Sequence, residues 1–135
     1  MDREKLVEYA TEAMKKAYVP YSGFYVGAAL LTRDGKVYTG CNIENSAFTP
    51  TNCAERTAFF KAVSEGERDF VSIAVVGGKG GVIENFTAPC GVCRQVMREF
   101  CDPDEFEIIL SNGEKIKSFL LKDLLPMSFG PSDLE

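Results

Sequence analysis

The sequence contains no histidine among its 135 residues. This absence excludes a histidine general base, a Ser-His or Cys-His nucleophile pair and a histidine metal ligand. Long apolar runs are missing too, because no stretch approaches the roughly 18 residues that a membrane-spanning helix requires. The polar N-terminus Met1–Lys5 leads into no signal-peptide core. We therefore expect a soluble, cytoplasmic protein without a membrane partner.

Positive charge is scarce as well, since 15 Lys and Arg residues face 20 Asp and Glu residues, for a net charge of -5. This balance repels polyanions unless the cations gather on one face, so we expect no nucleic-acid partner. The composition, 45% hydrophobic and 26% charged, is typical of a globular protein. At this length the sequence predicts one domain, residues 1–135.

The order of periodic segments predicts an α/β fold. Helical spacing of apolar residues indicates helices over 2–18, Cys53–Gly66 and Gly91–Cys101, and a short terminal helix over Leu121–Leu125. Strand-forming runs cover Phe24–Thr32, Lys36–Ile43, Val71–Val76, Phe106–Leu110 and Lys115–Phe119. Because crossover helices imply a parallel strand pair, we expect a three-layer α/β/α fold with a five-stranded mixed sheet. Gly77–Gly81 does not have the spacing of a phosphate-binding loop and is interpreted as a flexible connection.

Five cysteines need an explanation other than disulfides, because their number is odd and the expected compartment keeps thiols reduced. Three of them lie in two segments that each begin a predicted helix, Cys53-Ala54-Glu55 and Pro89-Cys90-Gly91-Val92-Cys93. Three cysteines without histidine would form a catalytic zinc site with water as fourth ligand, whereas a structural site would need a fourth protein ligand. Cys41 and Cys101 lie at no recognised ligand spacing and are expected to pack in the core.

The charge of such a site must be offset, because three thiolates exceed Zn²⁺ by one negative charge. Two helix N-termini would point at the ligands, and Arg56 and Arg94 sit beside them in the sequence. A Cys-x-x-Cys pair alone also occurs in redox motifs and structural zinc sites. A segment with Glu followed by Pro-Cys-x-x-Cys, however, is typical of zinc deaminases, including a variant with three cysteines.

With these motifs the sequence resembles the cytidine deaminase family, in its small tetrameric branch. The resemblance extends from the first helix to about Phe129. It depends on several motifs in order: Tyr18–Phe24, Val26–Leu30, Gly40–Asn45, Cys53–Arg56 and Pro89–Gln95. It implies hydrolytic deamination of cytidine and 2′-deoxycytidine to uridine and 2′-deoxyuridine plus ammonia, a reaction of pyrimidine salvage.

The resemblance also implies roles for individual residues. Cys53, Cys90 and Cys93 would hold one Zn²⁺ per subunit, whose bound hydroxide attacks C4 of the pyrimidine, with Arg56 and Arg94 offsetting the thiolate charge. Glu55 would be the proton shuttle between the water, N3 of the ring and the departing ammonia.

Nucleoside contacts follow from the same resemblance. Phe24 would face the pyrimidine, and Asn42 and Glu44 would bind the ribose hydroxyls from one face of a strand end. Ala54 would also contact the substrate, and Phe129 would reach the site of a neighbouring subunit in a homotetramer. This chain departs from the family at Phe48, where many members carry Tyr, so one hydroxyl is missing.

Three alternatives stay open at this point. A deaminase of the same fold could act on another cytosine nucleoside, such as blasticidin S. A non-enzymatic zinc-stabilised binding module would need a fourth protein ligand and would leave Glu55 without a role. A deaminase acting on a polynucleotide base would need a Lys- and Arg-rich tract, which this acidic chain does not contain.

Overall fold

The structure is a computed structural model that describes all residues from Met1 to Glu135. Its elements follow the order α1 (Arg3–Met14), β1 (Phe24–Thr32), β2 (Val37–Cys41), α2 (Ala54–Ser64), β3 (Phe70–Lys79), α3 (Gly91–Phe100), β4 (Glu107–Ser111), β5 (Ile116–Leu120) and α4 (Leu121–Leu124). A short 3-10 helix, Pro131–Leu134, follows. No helix combines the length and apolar character needed to cross a membrane.

The five strands form one mixed sheet in the order β2-β1-β3-β4-β5. Only β3 and β4 pair in parallel, and the other neighbours are antiparallel. Helix α2 precedes β3 and runs back against it, whereas α3 follows β3 and returns the chain to the start of β4. Both helices therefore begin at the carboxyl end of β3. The predicted α/β fold with a five-stranded mixed sheet is confirmed.

Helices cover both faces of the sheet and create two apolar cores. Helix α1 packs on one face, where Leu6, Ala10 and Met14 meet apolar residues of β1, β3 and β4. Helices α2 and α3 pack on the other face around Phe59, which is completely buried. The central strand β3 is buried on both sides, which explains its nearly continuous apolar sequence.

Two glycines allow helices to approach the sheet closely. A Cβ added at Gly27 of β1 would lie 2.0 Å from the carbonyl oxygen of Ala10 in α1. A Cβ added at Gly40 of β2 would lie 2.4 Å from the carbonyl oxygen of Ala54 in α2. Helix backbone therefore occupies the space that side chains would fill at these two positions.

The interpretation of Gly77–Gly81 as a flexible loop is wrong for its first half. Strand β3 continues to Lys79, and Gly77 and Gly78 pair with β1. Glycine is needed there because another segment approaches closely, since a Cβ at Gly78 would lie 1.8 Å from the carbonyl oxygen of Val82. Only Gly80 and Gly81 form the turn, at positive φ. Helix α1 also ends earlier than expected, at Met14 instead of residue 18.

Gly27→Ala should lower the free energy of unfolding by about 1–3 kcal/mol, the usual range for overpacking. The added Cβ would also lie 2.6 Å from the backbone nitrogen of Met14, so α1 would have to shift. Urea unfolding followed by circular dichroism, at equal metal content, measures the change. Gly91→Ala is the control, because no heavy atom other than those of its chain neighbours and its own helix backbone lies within 4 Å of its added Cβ. Equal stability of the two variants would contradict the close approach of α1.

Candidate functional site

Three cysteines meet at the carboxyl end of β3. Cys53 is the N-cap of α2, Cys90 is the N-cap of α3, and Cys93 lies in the first turn of α3. The Sγ atom of Cys90 lies 3.7 Å from Sγ of Cys53 and 3.5 Å from Sγ of Cys93. All three sulfur atoms lie within 4.8 Å of one another. The structure thus brings together the three residues that the sequence predicts as metal ligands.

The spacing of these sulfur atoms suits Zn²⁺. Tetrahedral coordination with Zn–S bonds of about 2.3 Å separates neighbouring sulfur atoms by about 3.8 Å. Three thiols without a fourth protein ligand form the donor set of a catalytic zinc site, because closed structural sites use four. Cys93 is buried and Cys90 is exposed, so solvent reaches one side of the cluster. The residues present therefore fit zinc.

The surroundings of Cys53 favour its thiolate. Nη2 of Arg56 donates to Sγ of Cys53 at 3.2 Å, and the positive end of α2 points at the same atom. A hydrogen bond from Cys93, followed by that of Arg56, lowers the pKa of Cys53 to about 5. The hydrogen bond to Cys53 and burial raise the pKa of Cys93. These contacts therefore favour the thiolate form of Cys53.

Of the two arginines expected beside the thiols, only Arg56 contacts one. Arg94 donates from Nε to the carbonyl oxygen of Pro89 and from Nη1 to that of Leu124, each at 2.7 Å. Consecutive residues on a helix point in different directions, so the residue that follows the ligand Cys93 is turned away from the metal site. The expectation of a charge-offsetting contact from Arg94 is thus corrected: its guanidinium holds the backbone just before Cys90.

Glu55 lies in the first turn of α2 and is only 3% exposed. Burial raises the pKa of its carboxyl, and a hydrogen bond with Cys93 acts in the opposite direction. A raised pKa strengthens a carboxylate as a proton acceptor, and a positioned carboxyl is a common acid-base group in catalysis. The position of Glu55 beside the thiols therefore suits acid-base chemistry.

Asn42 and Glu44 follow the end of β2 and share one side of the chain. The bridge at Ile43 continues the strand alternation, so Ile43 faces the other way. The Asn42 amide is held across the edge of β1: its Nδ2 donates to the carbonyl oxygen of Phe24, and its Oδ1 accepts from the N–H of Val26, both at 2.9 Å. The side chain therefore has a fixed orientation.

The carboxylate of Glu44 accepts three hydrogen bonds from the segment before β1. The N–H groups of Tyr21 and Ser22 donate to Oε1 at 3.0 and 3.1 Å, and the Ser22 hydroxyl donates to Oε2. The hydroxyl, together with the N–H donors, holds the pKa of Glu44 below its usual value. Glu44 is consequently an anion at neutral pH.

A surface cavity of about 410 Å³ opens beside Glu44. This volume is within the usual range for small-molecule sites. Phe48 lies at its rim, 74% exposed and packed edge-on against Tyr21 with ring centroids 6.5 Å apart. The lining also includes residues that the sequence analysis assigned no role: Tyr21, Ser22, Asn45 and Thr51. Ser22 could have been noticed from its spacing to Phe24, since a hydroxyl two residues ahead commonly binds the backbone N–H.

The remaining predicted contacts lie in two different environments. Ala54 is completely buried at the start of α2, so its side chain presents no open surface. Phe129 is 58% exposed, and its carbonyl oxygen accepts from Nε2 of Gln95 at 2.8 Å. Nε of Arg98 donates to the Ser128 hydroxyl at 2.9 Å. The C-terminal segment is therefore attached to α3 while the aromatic ring stays exposed.

Comparison with known proteins agrees with this geometry. The family model of the cytidine and deoxycytidylate deaminase zinc-binding region matches residues 1–106. A cytidine deaminase of Sporosarcina psychrophila is 52% identical over 135 residues, covering 99% of this chain and 96% of the relative. One from Halalkalibacterium halodurans is 50% identical over 135 residues, covering 99% and 98%. The crystal structure of cytidine deaminase from Burkholderia pseudomallei has a TM-score of 0.87 at 47% identity, covering 96% of this chain and 100% of that chain.

Cys90→Ser should weaken Zn²⁺ binding by more than about 100-fold, because even changes around metal ligands weaken binding by about 10- to 100-fold. Competition with a chromogenic chelator measures the affinity. Cys41→Ser is the matched control, since Cys41 is a free thiol outside the cluster. Equal loss of zinc in both variants would contradict the assignment of the cluster as the metal site.

Proposed function

The chain belongs to the cytidine and deoxycytidylate deaminase zinc-binding family, and from this we propose that it deaminates cytidine and 2′-deoxycytidine to uridine and 2′-deoxyuridine, releasing ammonia. The observation that carries the proposal is a buried carboxyl, Glu55, beside three clustered thiols. A zinc-stabilised binding module would need a fourth protein ligand and would have no use for that carboxyl. The protein is an enzyme.

The residues of the metal site have two roles, binding the metal and offsetting its ligands' charge. Cys53, Cys90 and Cys93 would hold Zn²⁺ as thiolates. Arg56 and the N-termini of α2 and α3, each worth about half a positive charge, offset the excess negative charge. When bound, Zn²⁺ supplies the Lewis acidity that makes water a nucleophile near neutral pH.

Glu55 moves the protons of the reaction. Its carboxylate accepts a proton from the attacking water and passes it to N3 of the pyrimidine. It then accepts the second proton from the new C4 hydroxyl and donates it to the amino group, which leaves as ammonia while the C4 carbonyl forms. Burial raises the pKa of Glu55 above the usual value of a carboxyl, which makes this side chain a better proton acceptor. A positioned acid-base group of this kind contributes about 10²- to 10⁴-fold to the rate.

The nucleoside is bound mainly by side chains near the start of β1 and the end of β2. Phe24 faces the pyrimidine, and the Asn42 amide and Glu44 carboxylate bind the ribose hydroxyls. Ala54, being completely buried, would contribute through the backbone at the start of α2. The anionic Glu44 repels a phosphate at this position, which favours nucleosides over nucleotides.

The proposal includes a homotetramer in which Phe129 enters the site of a neighbouring subunit. On the single chain Phe24 is 37% and Phe48 74% exposed, so a nucleoside there would be incompletely enclosed. Residues 1–135 act as one deaminase domain in the cytoplasm, where thiols stay reduced. The net charge of -5 supports a small-molecule substrate over a nucleic acid.

The ultraviolet absorbance of cytidine tests the reaction and the metal together. We expect conversion to uridine by the purified protein, loss of conversion after a strong chelator removes the metal, and recovery when Zn²⁺ is restored. Turnover that survives verified zinc removal would contradict the metal mechanism. If the folded, zinc-loaded protein converts neither cytidine nor 2′-deoxycytidine, the proposed substrate is wrong and blasticidin S is tested next.

In the same assay Glu55→Gln should lower kcat by at least about 10²- to 10⁴-fold, because the proton shuttle is lost. Zinc content and fold should stay unchanged. Glu65→Gln, an exposed position at the other end of α2, is the control and should keep full activity. Normal turnover of Glu55→Gln would exclude the shuttle.

Mixed oligomers test whether Phe129 acts in the neighbouring subunit. Phe129→Ala and Glu55→Gln subunits should each form impaired homotetramers. Coassembly should restore activity, because a site that keeps Glu55 can then receive Phe129 from its neighbour.

The control mixes Phe129→Ala with the double variant Phe129→Ala/Glu55→Gln, which supplies no aromatic and should restore nothing. Absence of recovery in verified mixed oligomers would assign Phe129 to its own subunit. A monomer by sedimentation would contradict the assembly.

A further inference from the structure

The hydroxyl of Ser22 lies between two of the proposed nucleoside contacts. Its oxygen accepts a hydrogen bond from the N–H of Phe24 at 3.0 Å. Its proton is donated to Oε2 of Glu44 at 2.5 Å. A single hydroxyl thus connects the residue proposed for the pyrimidine with a residue proposed for the ribose.

The three donors to Glu44 bind different oxygen atoms of its carboxylate. Both backbone N–H groups, of Tyr21 and Ser22, donate to Oε1, and the Ser22 hydroxyl is the donor to Oε2. Without the hydroxyl the carboxylate would remain attached through Oε1 but could rotate about that attachment. The hydroxyl therefore determines where Oε2 points.

The backbone of Ser22 is held independently of its hydroxyl. Nζ of Lys79 donates to the carbonyl oxygen of Ser22 at 2.7 Å. The carbonyl oxygen of Phe24 is held by Asn42 Nδ2 at 2.9 Å. Loss of the hydroxyl would therefore leave the segment in place and change mainly the orientation of Glu44 relative to Phe24.

We propose that Ser22 is a positioning residue for nucleoside binding, whose hydroxyl aligns the Glu44 carboxylate with the ribose hydroxyls while the Phe24 ring faces the base. The inference rests on the proposed function, since it takes Phe24 and Glu44 as nucleoside contacts. Ser22 touches neither the thiols nor Glu55, so its loss affects binding of substrate more than the chemical step.

Thr32 provides a matched control elsewhere in the sheet. Its hydroxyl also bridges a backbone N–H and a carboxylate, accepting from Lys36 at 2.9 Å and donating to Asp34 at 2.5 Å. This bridge lies in the turn between β1 and β2 and contacts none of the proposed site residues. Thr32→Val therefore removes a chemically similar bridge without altering nucleoside contacts.

Ser22→Ala should raise KM for cytidine by about 10-fold or more, the usual worth of a hydrogen bond to a charged group, and leave kcat within about 2-fold. Ser22→Thr, which keeps the hydroxyl, should restore KM. Thr32→Val should leave KM unchanged, whatever it does to stability. An unchanged KM in Ser22→Ala, or a fall in kcat alone, would overturn the proposal.

Inhibition by product analogues separates this inference from the proposed function. Uridine carries the 2′- and 3′-hydroxyls of the ribose, whereas 2′,3′-dideoxyuridine lacks both and keeps only the 5′-hydroxyl. Ser22→Ala should weaken inhibition by uridine by about 10-fold and leave inhibition by the dideoxy analogue within about 2-fold. Equal weakening of both would overturn the role of Ser22 while cytidine turnover by the unaltered enzyme still stands. Failure of the unaltered enzyme to convert cytidine would instead refute the proposed function.

Discussion

The site depends on the placement of two helices against the central strand. Helices α2 and α3 both begin at the carboxyl end of β3, because one leads into this strand and the other starts the parallel crossover to β4. The Sγ atoms of their N-cap residues, Cys53 and Cys90, thereby lie 3.7 Å apart. The positive ends of the two helix dipoles meet at the same place. Gly40 makes the approach of α2 possible, since a side chain there would collide with the helix backbone.

Much of this arrangement could be predicted from local sequence. The strand Phe24–Thr32 has the predicted bounds, because its apolar run and the following Asp34-Gly35 turn are short-range signals. The cysteine cluster was predictable because ligand spacing and helix starts are also local. Interactions between distant segments were not predictable. Gly78 was mistaken for a loop residue because its pairing with Tyr25 of β1 becomes apparent only in the folded chain. Arg94 follows the ligand Cys93 in the sequence, but its side chain leaves α3 in another direction and donates to the carbonyl oxygen of Pro89. Adjacency in the sequence therefore did not predict a contact with the thiols.

The metal site and the proposed nucleoside contacts are stabilised by different means. The metal site relies on burial, thiolate charge and Arg56, and its carboxyl Glu55 is shielded from water. The side chains proposed for nucleoside binding lie nearer the surface, where hydrogen bonds to the backbone keep Asn42 and Glu44 in fixed orientations. These surroundings favour a neutral substrate, because an anionic one would be repelled by Glu44 and by the net negative charge of the chain.

Helix α3 contacts both the cysteine cluster and the C-terminal segment that carries Phe129. It is a rod of ten residues, about 15 Å long, with Cys90 and Cys93 at its start. Further along the same helix, Gln95 donates to the carbonyl oxygen of Phe129. Arg98 donates to the hydroxyls of Ser128 and Ser132, which lie on either side of Phe129 in the sequence. The two cysteines and the C-terminal segment are thus attached to the same helix. A substitution that displaces α3 would therefore disturb the cysteine cluster and the segment that carries Phe129 together.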